Sequence, residues 1–225
     1  MFHVKQILSL LLLFVAISCK SQKTLMFQQT ALPQPSMDDK SVIAWNEKQQ
    51  EYNTLSQQEQ EFYYWVNYSR ENPKTFYENA VLPIVKTYPQ LKGENLNSLE
   101  KELENLHPLV LFRLDEPLLK MSISHAIDIT SSNANPSHNS TNGEGFTDRF
   151  KKYGFKDCGG ENISYGGGDT SPLFMLVILY LDINVIDLGH RKALLNPFFV
   201  NTGISIKKYS DGNTFLVEDF ACSQK

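Results

Sequence analysis

The sequence has 225 residues, of which 41% are hydrophobic and 20% charged, and its formal net charge is −4. This length suits one domain with extensions, and the composition argues against both a disordered chain and a polytopic membrane protein. Because acidic residues outnumber basic ones, the sequence gives no basis for nucleic acid as a partner.

The N-terminus predicts an export signal. Lys5 precedes a nearly unbroken apolar run over residues 7–17, which is too short to span a bilayer as a helix. The small residues Ala16 and Ser18 stand immediately before Cys19, as in a bacterial lipobox. We therefore expect a signal peptide over residues 1–18 and an acylated Cys19 that anchors an exported lipoprotein to the envelope membrane. Secretion without acylation is the alternative.

Residues 19–55 are predicted to be the lipidated N-terminus and a flexible tether. The segment is rich in Gln, Ser, Asn and Pro and has no sustained apolar period, so it cannot bury enough surface to offset the entropy of ordering. Order is predicted to begin at Ser56, because Ser56 and Glu59 have the spacing of a helix capping box. The folded domain is therefore predicted over residues 56–225.

Helices dominate the first part of this domain. Apolar residues at helical spacing follow Ser56, and Pro73 is expected to end or bend that helix. Residues 75–107 predict two more helical pieces with a break at residues 89–93. Pro117 then opens a further helix.

The second half contains a polar loop over residues 131–145, an apolar run over residues 173–181 and a strong hairpin signal over residues 203–220. Because Pro172 stands where a helix would begin, the apolar run is predicted to be a buried helix. Helices followed by late strands, without a repeated strand–helix unit, predict an α+β domain.

Two cysteines, Cys158 and Cys222, accompany Cys19. In an oxidising compartment they could form a disulfide or stay as free thiols, and the sequence leaves both outcomes open.

Three short polar clusters remain as candidates for a site, since the chain has no phosphate-binding loop, no paired CxxC, no HExxH and no GxSxG. They contain His138, Glu161 and His190. Each cluster lies beside glycine or a turn former at the edge of an apolar segment, where binding groups collect. Two imidazoles with one or two carboxylates could bind a divalent ion such as Zn²⁺ or act as general acid and base.

The order of these clusters resembles the CAP superfamily, which comprises cysteine-rich secretory proteins, antigen 5 and pathogenesis-related 1 proteins and is also called the SCP domain. The similarity is to its bacterial envelope branch and covers residues 59–221. Its most specific part is Gly-Glu-Asn at residues 160–162 followed by Gly-His-Arg at residues 189–191. The other matching pieces are residues 66–70, residues 118–128 with His125, residues 137–138, residues 149–154, residues 203–204 and residues 217–220.

The resemblance implies a three-layer α-β-α sandwich with a surface cavity lined by two histidines and two acids, which binds a divalent metal in several members. Carried over by position, the metal ligands would be His138, Glu161, Asp182 and His190. Asp182 stands nearest the family position of the second acid, and Glu144 and Asp187 are the alternatives. The sequence departs from the family by inserting the helical stretch 75–107 after the first helix.

These features predict a monomeric binding module whose cavity holds a divalent metal, either Zn or Mg/Ca, or a small-molecule, lipid or peptide ligand without turnover. The alternative is a metal-assisted hydrolase of peptides or envelope material, with Glu161 or Asp182 as the candidate catalytic base. A third possibility is an adhesion role for the sheet or the inserted helices.

Some of these residues also have purely structural interpretations. Glu161 could pair with Arg149 or Arg191. Arg191 itself is predicted to be a structural ion-pair former, and His125 is predicted to be a packed histidine because it lies on an apolar helix face.

Overall fold

The computed structural model describes residue 32 and residues 34–222. The predicted signal peptide (1–18), Cys19 and the first part of the predicted tether lie outside the described residues. Among the residues that are described, no helix combines the length and apolar character needed to cross a bilayer. The helices are α1 (Lys40–Glu47), α2 (Gln57–Glu71), α3 (Pro73–Phe76), α4 (Leu82–Thr87), α5 (Glu94–Asn105), α6 (Glu116–Ser131), α7 (Phe146–Lys152), α8 (Pro172–Leu181) and α9 (Gly189–Leu194), and the strands are β1 (Arg113–Leu114), β2 (Gly159–Gly166), β3 (Phe199–Lys208) and β4 (Thr214–Cys222).

Within the described part of the chain, four strands form one sheet in the order β1-β3-β4-β2. β3 and β4 form an antiparallel hairpin, which confirms the hairpin prediction. β2 pairs antiparallel with β4, and β1 pairs parallel with β3. β2 is therefore an edge strand.

Helices cover both faces of this sheet. Because side chains alternate along a strand, Val217 and Ala221 of β4 pack against α6 and α7. Leu216 and Phe220 point the other way, into the large core that contains α2 and α8. The predicted α+β class and three-layer α-β-α sandwich are confirmed.

The helix starts follow the sequence signals. Ser56 Oγ accepts a hydrogen bond from Glu59 N (3.3 Å), and Glu59 Oε2 accepts one from Ser56 N (2.8 Å), so the predicted capping box is present. α2 ends at Glu71, and Pro73 begins α3. The apolar run after Pro172 forms α8, which is almost entirely buried, as predicted.

Residues 73–105 form the predicted helical segment between α2 and β1. α3 and α4 are joined by a π-helical turn over Tyr77–Val81, and a 3-10 turn at Pro89–Leu91 precedes α5. The break predicted at residues 89–93 lies at this turn.

The tether prediction is too long at its C-terminal end, because α1 lies inside it. Val42 is fully buried, Trp45 Nε1 donates to Phe112 O (2.8 Å), and Asn67 Nδ2 donates to Asn46 Oδ1 (2.9 Å). Asp39 caps α1 by accepting from the backbone. The sequence hid this helix because its apolar residues stand in one consecutive run, residues 42–45, which is too short to show a helical period.

β2 was not predicted as a strand, because three of its eight residues are glycine. Two of the glycines have a packing reason. A Cβ on Gly159 would overlap the Phe150 ring, and a Cβ on Gly160 would lie 3.2 Å from the Phe199 ring. Aromatic rings therefore lie against both faces of the strand at its start.

A disulfide joins Cys158 to Cys222, whose Cα atoms are 5.6 Å apart. Of the two outcomes that the sequence leaves open, the structure has the bonded one. The bond connects the chain just before β2 to the end of β4.

Candidate functional site

A cavity of about 550 Å³ lies along the first half of β2. It is bounded by the α6–α7 loop, by β2, and by α9 with the segments on either side of it. The lining residues are His138, Gly160, Glu161, Asn162, Val185, Asp187, Gly189, His190, Lys192, Ala193, Asn196 and Phe199.

His138 is held by a buried ion pair. Its Nδ1 lies 2.8 Å from Glu161 Oε1, and Arg149 Nη2 donates to Glu161 Oε2 (2.5 Å). Arg149 Nη1 also donates to the main-chain oxygen of His138 (2.9 Å). The Glu161 and Arg149 side chains are buried, whereas the His138 ring is half exposed. The structural pairing of Glu161 with Arg149 is confirmed, and the pairing with Arg191 is not formed.

The negative charge of this cluster lies on Glu161. Burial alone would raise the pKa of Glu161, but the His138 hydrogen bond and the Arg149 charge outweigh it, so its pKa is lowered. Asp219 is the partner of Glu161 in the β2–β4 register. Burial, and then the neighbouring Glu161 charge, raise the pKa of Asp219 well above its usual range. Asp219 is therefore the neutral member of this carboxyl pair.

His190 is held in a similar way on the other side of the cavity. Its Nδ1 lies 2.5 Å from Asp182 Oδ1, and Asp182 Oδ2 accepts a hydrogen bond from Arg191 N (2.9 Å). Asp182 follows α8 directly, in the left-handed backbone region at φ 49°, and its side chain is buried. The turn from α8 to α9 thus brings together two residues that are separated in sequence.

Helix α5 fixes this turn from outside. Asn95 Nδ2 donates to Leu181 O (2.8 Å) and to Asp182 O (2.9 Å). Arg191 Nη2 donates to Asn95 O (2.8 Å), and its guanidinium also pairs with Glu102 at 3.5 Å. Arg191 is buried, so its prediction as a structural ion-pair former is confirmed.

Arg70 of α2 holds the part of the cavity wall that lies between α9 and β3. Its fully buried guanidinium donates to Leu194 O (2.6 Å) and Phe199 O (3.1 Å). Burial lowers the pKa of Arg70 to about 10, so the group keeps its charge at neutral pH. These bonds set the path of the chain between α9 and β3, where Asn196 and Phe199 line the cavity.

The structure thus forms two His–carboxylate pairs on one cavity and does not gather the four predicted ligands into one cluster. Nδ1 of each imidazole meets a carboxylate, and neither Nε2 has a hydrogen-bond partner among the described residues. Both oxygens of Glu161 and both oxygens of Asp182 are already occupied. In residues 34–222, no three His, Cys, Asp or Glu side chains lie close enough together to hold a metal ion.

The alternative acids differ in position. Asp187 is exposed and lines the cavity, so it can reach a bound molecule. Glu144 lies outside the lining and pairs with Lys152 at 3.5 Å.

His125 is the packed histidine that its helix face predicted. It is buried, and its Nε2 lies 2.9 Å from Ser137 O, next to His138 in the chain. Burial lowers the pKa of His125. Its contact helps to position the loop that carries His138.

Two supporting residues had no functional signal in the sequence. Asp219 belongs to a family-like segment, but only the strand register places it opposite Glu161. Asn95 lies on α5, and its partner Leu181 is 86 positions away in the chain. No local pattern could have identified either contact.

A family model described as "Cysteine-rich secretory protein family" (CAP) matches residues 66–220. Among curated proteins, none matches the sequence significantly. Similar solved structures include an extracellular SCP-domain protein from Bacillus anthracis (24% identity over 57% of this chain and 38% of that chain, TM-score 0.41) and an outer surface protein from Borrelia burgdorferi (18% identity, 69% and 96%, TM-score 0.44). A venom allergen-like protein from Schistosoma mansoni is 13% identical over 76% of this chain and 92% of that chain, with a TM-score of 0.42. The chain thus spans less than two thirds of the Bacillus protein.

Proposed function

Because the chain belongs to the cysteine-rich secretory protein family, we propose that it is an exported binding module whose cavity holds a divalent cation through Nε2 of His138 and of His190. One observation carries the proposal. Both imidazoles line the same cavity, and a buried carboxylate engages Nδ1 of each ring.

The paired carboxylates suit metal binding by the imidazoles. An ionised carboxylate only accepts hydrogen bonds, so the neutral ring carries its hydrogen on Nδ1 and a lone pair on Nε2. Metal-binding histidines usually donate their second ring nitrogen in this way, which fixes the ring and raises its basicity. Glu161 and Asp182 would then orient the ligands and would not bind the ion themselves.

The ligand type favours zinc over magnesium or calcium. Imidazole nitrogen is a common zinc ligand, whereas magnesium and calcium prefer sites made of oxygen atoms. Two protein ligands leave other coordination positions for water or for a bound molecule, and exposed Asp187 lies on the same cavity. The site would therefore be open.

Binding without turnover fits this geometry better than hydrolysis does. A hydrolase of the kind considered above needs a carboxylate that can take a proton from the attacking water. Glu161 uses both oxygens to hold His138 and Arg149, and Asp182 uses both to hold His190 and the Arg191 backbone. A proton from water would therefore have to compete with the bonds that orient the two histidines, which favours binding over hydrolysis.

The cellular location is part of the proposal. The apolar segment over residues 7–17 and Cys19 in a lipobox-like context support export and anchoring by acylation. The Cys158–Cys222 disulfide supports an oxidising compartment, because such bonds are rare in reducing cytosol.

Titration of the full chain with Zn²⁺ in a calorimeter tests the site. We expect one binding event, which His138→Ala or His190→Ala weakens by at least about ten-fold because each variant removes one ligand. Glu161→Gln or Asp182→Asn should weaken it by about 10–100-fold, as is usual for groups that orient metal ligands. Lowering the pH should weaken binding as well, since protons compete with the metal for Nε2.

His107→Ala is the matched control, because His107 is exposed and lies outside the cavity lining. Its affinity should equal that of the parent chain. If neither cavity variant changes zinc binding, or if the control changes it equally, the proposed site is wrong.

A further inference from the structure

Several main-chain groups on the outer edge of β2 have no hydrogen-bond partner within the described part of the chain. In an antiparallel pair, hydrogen-bonded and non-hydrogen-bonded residue pairs alternate. Cys222 N donates to Cys158 O (3.0 Å), so this pair is a bonded one, and the even-numbered residues of β2 then bond to β4 in the observed register. Glu161, Ile163 and Tyr165 therefore turn their N–H and C=O groups away from the sheet. Among the described residues, no hydrogen bond engages these outward groups.

Nothing in the strand itself blocks this edge. Natural edge strands are protected by proline, lysine, a bulge or a covering element. β2 contains neither Pro nor Lys, and its pairing with β4 is regular over all eight residues. Every second residue from Glu161 to Tyr165 therefore presents an outward N–H donor and an outward C=O acceptor, over a length of about 13 Å.

The cavity borders the first half of this edge and has two different sides. The even-numbered residues of β2 share their face with Phe199 and the α9 segment, where Phe199 and Ala193 offer apolar contacts beside the polar His190 and Lys192. Beside these segments, Ile186 and Phe198 are strongly exposed large apolar side chains. The odd-numbered residues share their face with His138, so the other side is polar.

We propose that the edge of β2 and the adjoining cavity bind an extended peptide, which adds to the sheet as a further strand. Its main chain would pair with Glu161, Ile163 and Tyr165. Its side chains would face the α9 side, with Phe199 and Lys192, and the His138 side in alternation, which gives selectivity by a two-residue pattern.

Hydrogen-bond and charge complementarity favour a peptide as the occupant of this edge. Only another extended main chain supplies acceptors and donors at the spacing of this edge, whereas a lipid tail would displace water and leave these groups without partners. Lys192 and Asp187 line the cavity without an ion-pair partner among the described residues, so a peptide meets one charge of each sign. Because residues 160–162 line the cavity, a single strand can lie within it, whereas a second folded copy would have to insert an edge of its own.

This inference goes beyond the proposed metal site and does not depend on it. Its test therefore uses the full chain in the presence of a chelator. Random dodecapeptides displayed on phage are selected against the chain, and the best binder is synthesised as the probe. We expect the probe to slow amide hydrogen exchange at Glu161, Ile163 and Tyr165.

Tyr165→Pro tests the main-chain bond directly. Its N–H points outward, so proline removes a donor to the peptide without removing a bond to β4, and the side chain is exposed. We expect about ten-fold weaker probe binding than for Tyr165→Ala, which loses the same side chain but keeps the N–H. Unchanged hydrogen exchange in β4 would show that the proline variant is folded.

Peptide N-methylation supplies the reciprocal test. Methylating the peptide nitrogens that face β2, which are every second nitrogen, should abolish binding. Methylating the nitrogens in between, which face away from β2, should not. Failure to select a binder, protection of other amides, or equal binding to both Tyr165 variants overturns the proposal. Concentration-dependent dimerisation that protects the same amides without peptide also overturns it, in favour of a second copy. Failure of zinc binding with intact peptide binding would count against the metal site alone.

Discussion

Glu218 and Asp219 are adjacent on β4, and both are fully buried, on opposite faces of the sheet. No described residue donates a hydrogen bond to either carboxyl, and Asp219 lies beside the carboxylate of Glu161, to which its protonated form can donate. Burial raises the pKa of Glu218 well above its usual range, and the Arg70 charge offsets this only in part. A neutral carboxyl is the less costly form to bury, so both groups should carry a proton at neutral pH.

Glu218→Gln should therefore change how stability depends on pH. Because the pKa of Glu218 is higher in the folded state than in the unfolded state, this group stabilises the fold fully at pH values below the usual Glu range, about pH 4. The stabilisation is lost as the pH rises toward the pKa of the folded state. Relative to the Gln variant, the parent should lose about 1.4 kcal/mol of unfolding free energy per pH unit across that window. Denaturant unfolding of both proteins between pH 4 and neutrality measures this difference, and parallel curves would contradict it.

The sequence identified some residues of the site but not their roles. His138, Glu161 and His190 stand in family-like motifs, and residue type alone suggested Arg149 as a partner of Glu161. Which ring nitrogen meets the carboxylate depends on the orientation of a side chain in the fold. The neutral state of Asp219 depends on strand register, which pairs it with Glu161 across the sheet.

Among the elements, α5 has the clearest effect on the site, because it holds the α8–α9 turn through Asn95. Asn95→Ala removes hydrogen bonds to Leu181 O and Asp182 O and should lower the unfolding free energy by about 1–3 kcal/mol. Because Asp182 orients His190, zinc affinity should fall as well. Asn97→Ala on the same helix is the control, since Asn97 is exposed. A loss of stability with unchanged zinc affinity would mean that α5 supports the fold but not the site.

An element can be predicted from the sequence when residues within it or beside it mark where it begins or ends. α2, α6 and α8 begin with a capping residue or a proline, and β3 and β4 flank a polar turn, so each leaves a readable pattern. β1 has two residues, and α9 has six. These short elements exist because of their tertiary contacts, which no local window contains.

For the molecule as a whole, the disulfide closes a loop across 64 positions. The chain-entropy account assigns such a bond about 4 kcal/mol, because the crosslink restricts the unfolded chain. The variant with both Cys158→Ser and Cys222→Ser should lose about that amount in denaturant unfolding, and reductant should have the same effect on the parent chain only. Equal stability of the parent and the variant under oxidising conditions would contradict the bond.

The layered architecture could be predicted only in part from local patterns. Helices followed by a late hairpin indicate an α+β domain, but the three layers were implied by the family resemblance. The helix before Ser56 was missed because its burial depends on Asn67 and Phe112, far along the chain.

The position of the disulfide has a consequence for where ligand capture can begin. The bond clamps the chain immediately before β2, and Glu161 follows shortly after along that strand. Reduction of the bond would release this clamp, while the pairing of β2 with β4 would remain. Reductant should therefore speed amide hydrogen exchange first at Gly159 and Gly160, at the end of the strand where the ligand cavity begins.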